Sequence, residues 1–150
     1  MVESTDGGDG MSDLVEFLRA RLDEDEQTAT TAAAATFSEC PTWTSKDDGT
    51  GRQTHGYVMA DHTAICGHDD DDVLLPIADH IARHDPARVL REVEAKRHVL
   101  HLYDTARHHE ANAVNALPVF ETTVRALRSI VQALAAVYSD HPDYQQEWTL

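Results

Sequence analysis

Ten histidines, two cysteines and 27 carboxylates give this 150-residue chain the raw material for metal chemistry. Glu94, His98, His101 and His108 recur at spacings of four, three and seven, which return to one side of a helix. A Glu-x-x-x-His-x-x-His face could offer several ligands to zinc or iron in a helical bundle. That would make the chain a metal-binding protein or a metal-dependent hydrolase. The same side also carries Arg97, Asp104 and Thr105, as a solvated face does, and Glu121 is the one carboxylate the last helix sets against it. Cys40 and Cys66, with His55 and His68, have the donor types of a structural Cys₂His₂ zinc site. Their spacing matches no zinc finger, and Cys66 also reads as a core-facing strand residue. His80 and His84 stand four apart without the glutamate of a zincin, so His84 is read as a hydrogen-bonding residue at a corner. The run Asp69 to Asp72 lacks the alternating oxygens and the glycine of a calcium loop. No glycine-rich phosphate loop or nucleophile elbow is present. The sequence therefore assigns no catalytic residue, no cofactor and no metal, and leaves Glu94, His98, His101, Cys40, Cys66 and His68 as the candidates to be located.

The corner that positions these residues lies in the stretch 77–93. Ile77 to His84 reads as a short helix, Asp85 as an N-cap and Pro86 as the first residue of a long helix running to about His109. The Asp85-Pro86 pair drives His84 out of helical geometry. The long helix has one apolar arc at Val89, Val93, Leu100 and Tyr103, and a second at Ala95, Val99, Leu102 and Ala106. Two stripes place it centrally or at an oligomer interface.

Upstream, Ser12 caps a helix with Leu14, Val15, Leu18, Leu22, Ala29, Ala32 and Ala33 on one arc, and its Thr/Ala end stops before Phe37. Trp43 and its threonines predict a short strand, and 46–51 a loop. Gly56 to Ala60 and Thr63 to Gly67 predict a hairpin turning at Asp61-His62. The aspartate run then precedes a helix opening near Val73, where carboxylates would satisfy its first N–H groups. Residues 110–117 read as a connector. Pro118 opens the last helix, whose Phe120, Val124, Leu127, Val131, Leu134 and Tyr138 repeat at 4-3-4-3-4. Ser139 to Pro142 stops it, and Tyr144 and Trp148 are expected to fold back on the domain.

The net charge of −15 is unevenly spread. Residues 1–82 hold 18 acidic and 4 basic side chains, whereas residues 83–128 hold 6 and 8. So acidic a chain has no clustered Lys and Arg for a phosphate backbone, which argues against direct nucleic-acid binding. It leaves room for an acidic DNA mimic that captures a basic partner, or for acidity that serves solubility alone. No apolar run is long enough to span a membrane, and 1–10 lacks the pattern of a signal peptide. The expected address is cytoplasmic, with both thiols reduced.

Three blocks resemble an actinobacterial family of short proteins of unknown function: Met11 to Leu18 with Arg21 to Glu26, Ala78 to Arg97, and Tyr138 to Tyr144 with Glu147-Trp148. The resemblance implies Met11 as the usual start, with 1–10 as an extension. Many members of that family carry a cysteine-bearing insertion between the long helix and the C-terminal block. Ala111 to Leu134 has no cysteine here, so no metal role transfers. Pro41-Thr42-Trp43, the short strands and the helix-break-helix from Ala78 to Leu90 are more distantly similar to phage-encoded Ead-like accessory proteins. That likeness implies an accessory role tied to phage or mobile elements and supplies no catalytic residues.

Together these readings predict a disordered acidic extension over 1–10 and a single α+β domain over 11–150. The domain is expected to be mainly helical, with about four helices packed on a small antiparallel sheet of two or three strands. The expected function is a non-enzymatic accessory or interaction module that meets a protein partner or a second copy. Its expected interface is Phe120, Val124, Leu127, Val131, Leu134, Val99 and Leu102.

Overall fold

The computed structural model describes residues 9–49, 55–67, 73–112 and 118–150. The fold is α+β and mainly helical. Its elements are α1 (Asp9–Ala34), β1 (Thr44–Asp47), β2 (His55–Ala60), β3 (Thr63–Cys66), β4 (Val73–Leu74), α2 (Leu75–Arg83), α3 (Pro86–Asn112) and α4 (Pro118–Ala135), with short 3₁₀ turns at Ala136–Tyr138 and Gln146–Trp148. The chain divides into two compact units, residues 24–93 and residues 1–23 with 94–150, so the boundaries fall inside α1 and α3.

In the unit 24–93, β2 is the central strand. It pairs antiparallel with β1 from Thr44↔Met59 to Asp47↔Gly56, and with β3 from Val58↔Cys66 to Ala60↔Thr63. The hairpin turns at Asp61-His62 as expected. Asp61 takes φ 51, a left-handed conformation that a short polar side chain tolerates without glycine. Gly56, Val58 and Ala60 alternate inward along β2, and α2 packs on β1 and β2. A Cβ on Gly56 would lie 2.5 Å from the Lys46 carbonyl oxygen and 2.7 Å from Leu75 Cδ1, so only glycine admits the helix start this close.

Four expectations are corrected here: α1 opens at Asp9, so Ser12 lies inside it rather than capping it, and the sheet has four strands rather than two or three. Val73 and Leu74 do not open a helix; they form β4, which pairs with β2 through His55↔Leu74 and Gly56↔Val73. Lys46 and Asp47, read as loop, complete β1. The aspartate run 69–72 and the end of the expected loop, residues 50–51, lie outside the described residues.

The corner forms as the sequence requires. His84 leaves helical geometry at φ −106 and ψ 37, and its N–H still reaches the His80 and Ile81 carbonyls. Asp85 is buried, and its Oδ1 accepts the Arg88 N–H at 2.8 Å. Its Oδ2 accepts the Trp43 N–H at 3.2 Å, while Ala87 N–H donates to the Pro41 carbonyl at 3.0 Å. One carboxylate thus caps α3 and tethers the Pro41–Trp43 segment to it.

In the other unit, Phe17 of α1 is the centre of an aromatic cluster. Tyr138, His141, Tyr144 and Trp148 place their rings 6.5, 5.6, 5.9 and 5.1 Å from it. Arg21 lies over the same ring at 5.3 Å and meets the His141 ring with Nη1 2.9 Å from Nδ1. Tyr144 and Trp148 are buried, so the C-terminal block does fold back. Leu14, Leu18, Leu22, Leu100, Tyr103, Val131 and Ala135, all at most 2% exposed, complete this core.

Candidate functional site

The helices α3 and α4 carry the candidate surface. Pro118 stands at the start of α4, where its missing N–H removes no helical bond. At 100° per residue, Val124, Val131 and Ala135 face the core and are buried, and Phe120, Leu127 and Leu134 lie beside them half-buried. A second row is displaced from that face: Val119, Thr123, Ala126, Ile130 and Ala133 at 4-3-4-3 on α4, with Val137 following in the 3₁₀ turn, and every one is exposed. Val119, Ile130 and Val137 remain 59%, 45% and 66% accessible. The charged residues of α4, Glu121, Arg125 and Arg128, sit on the opposite side, where Glu121 and Arg125 pair at 3.0 Å.

The apolar arc of α4 therefore spans roughly 200°, against about 100° for an ordinary surface helix. Half of that arc stays exposed among the described residues. Completing the burial of side chains such as Val119, Ile130 and Val137 would stabilise a contact by about 1 kcal/mol each.

On α3, Leu102, Ala106 and His109 continue the second arc predicted there. With Val119, Phe120, Thr123, Ala126 and Leu127 they line an open apolar groove of about 700 Å³. His109 stacks on Phe120 with ring centroids 6.5 Å apart, and both line the groove. Leu102 is 43% exposed, and Val99 is half-buried next to it. Of the seven expected interface residues, Phe120, Leu127 and Leu102 thus line the groove, whereas Val124 and Val131 belong to the core of the chain itself. The row from Val119 to Val137 was missed. Its signal was the same 4-3 spacing one residue out of step with the row from Phe120, hidden because threonine and alanine fill half of it.

The metal candidates are placed apart. Glu94, His98, His101 and His108 are all exposed on α3. His101 and His108 use their backbone carbonyls to accept from Thr105 and Asn112. Cys40 and Cys66 are free and half-buried, and Cys40 Sγ donates to the Thr42 carbonyl at 3.1 Å. His68 lies outside the described residues. Among the described residues no three His, Cys, Asp or Glu side chains come together as a metal site. His80 and His84 stack at 4.3 Å, and His84 Nδ1 donates to the His80 carbonyl, which is the corner bonding expected of it. Part of the acidic surface is internally paired: Arg97 holds Asp23 and Arg19 holds Asp104, each at 2.5 Å.

A family model for proteins of unknown function, DUF6221, matches residues 11–150. The chain belongs to the DUF6221 family. The match begins at Met11, the start that the sequence blocks implied, and all three blocks lie inside it. No curated protein and no solved structure matches the chain. The DUF6221 match names neither a source nor an activity, so the actinobacterial and phage resemblances gain nothing from it. No helix among the described residues is long and apolar enough to cross a membrane.

Proposed function

We propose that this DUF6221 protein is a non-enzymatic interaction module of the cytoplasm whose working surface is the uncovered apolar side of α4 with the adjoining groove on α3. One observation carries the reading: α4 is apolar over roughly twice the arc that its own fold buries. A surplus of this kind, next to an apolar groove, is what a protein-binding surface presents and what a solvated helix avoids. The occupant is a protein, either a partner or a second copy. An accessory role linked to phage or mobile elements rests on the Pro41–Trp43 and corner resemblance alone.

A photo-crosslinking residue placed at Ala126 tests the reading in living cells, with the exposed Glu16 of α1 as the control position. Protein adducts from position 126 that are missing from position 16 are expected. Equal adduct formation at both, or none at 126, overturns it.

A further inference from the structure

His80 and His84 stand one turn apart at the C-terminal end of α2, both exposed, with ring centroids 4.3 Å apart and planes tilted by 36°. His84 Nδ1 lies 2.9 Å from the His80 carbonyl oxygen. A carbonyl oxygen only accepts, so Nδ1 carries the proton, and in the neutral ring Nε2 is the bare nitrogen. A backbone carbonyl that holds one ring nitrogen is how a metal-ligating histidine is oriented and its tautomer set. The ring of His80 makes no hydrogen bond among the described residues, so its nitrogens are open to a ligand as well. We infer that His80 and His84 form a two-imidazole site for a divalent transition-metal ion, copper(II) before zinc, with water completing its coordination.

Donor type selects the ion. Imidazole nitrogen suits copper, nickel and zinc, whereas calcium and magnesium take oxygen, and among the former copper(II) binds a given site tightest. Position favours a cation too. The C-terminal end of a helix carries negative partial charge, and α2 ends at these residues. Residues 24–93 hold 14 acidic and five basic side chains, so the field of this unit draws cations. Arg88, which reaches the Arg83 carbonyl, is paired with Glu92 at 2.6 Å.

A second histidine pair shows the difference. His108 and His109 are in ring contact at 6.3 Å, but consecutive positions on α3 turn them about 100° apart. His108 Nε2 also meets the Asn112 amide at 3.2 Å. At the α2 site two protein ligands are fewer than the three of a catalytic zinc centre or the four of a structural one, so the ion is held loosely and exchanges. Its occupancy ties the last turn of α2 to the corner residue His84.

The test is a copper(II) titration of the untagged full chain carrying Cys40→Ser and Cys66→Ser, read by calorimetry and by electron paramagnetic resonance. The tightest site is expected to bind one ion with a two-nitrogen signature. His80→Gln removes a ring that holds no bond of the fold, and it is expected to weaken that site about tenfold or more, as is His84→Gln. His98→Gln, on the exposed side of α3, is expected to leave it unchanged. An affinity untouched by His80→Gln, an equal loss in His98→Gln, or no copper bound at all overturns the site.

Discussion

The unit formed by residues 1–23 and 94–150 has two apolar surfaces, and the chain treats them oppositely. Around Phe17 it recruits Tyr138, Tyr144 and Trp148 from the C-terminal block, and the last two end up 9% and 4% exposed. Along the outer side of α4 and the turn after it no described residue covers Val119, Ile130 or Val137, which stay about half exposed or more. The closed surface is built of aromatic rings in edge-on or tilted contact, which fix one arrangement. The open one is built of small and β-branched residues, which leave room for another helix backbone. The contrast separates apolar surface that holds this unit together from apolar surface that the described residues leave exposed.

Five substitutions sharpen that contrast, beginning with the largest effect. Trp148→Ala removes the ring nearest Phe17 and is expected to cost about 3–5 kcal/mol, read as a lower urea midpoint. Asp85→Ala strips the cap of α3 and the acceptor of the Trp43 N–H together, so a loss of about 2 kcal/mol is expected in the same assay. The adjacent pair on α4 should then part ways. Val131→Ala, in the core at 0% exposure, costs about 2 kcal/mol, while Ile130→Ala stays within about 0.5 kcal/mol at low protein concentration. Equal costs for these two neighbours would erase the distinction between closed and open sides. Smallest is Glu121→Ala, which breaks an exposed pair with Arg125 and should change stability by about 0.3 kcal/mol, measured by thermal unfolding.

Local chemistry explains which parts of the molecule could be read from the sequence. The corner depends on an N-cap and a proline in adjacent positions, and Asp85 and Pro86 declare both. The Asp61-His62 hairpin and the 4-3 repeat from Phe120 are likewise local patterns, and both formed where expected. Strand β4 could not be read, because two residues have no periodicity and their pairing with His55 and Gly56 is set by the rest of the sheet. The Phe17 cluster was half visible: the return of Tyr144 and Trp148 was expected, but their target is more than 120 residues away in the chain. The candidate face was named by its inner row, since Phe120 and Leu127 outweigh alanine and threonine in any reading of hydrophobic pattern. Burial of Val124 and Val131 shows that the inner row belongs mainly to the fold.

The Ala126 photo-crosslinker, with and without Ile130→Glu in the same chain, tests the open face most directly. Protein adducts are expected at position 126 in the wild-type background and are expected to be lost with Ile130→Glu, whose unfolding midpoint stays unchanged. No adduct in the wild-type background, or adducts undiminished by Ile130→Glu, would contradict a protein-binding role for this side of α4.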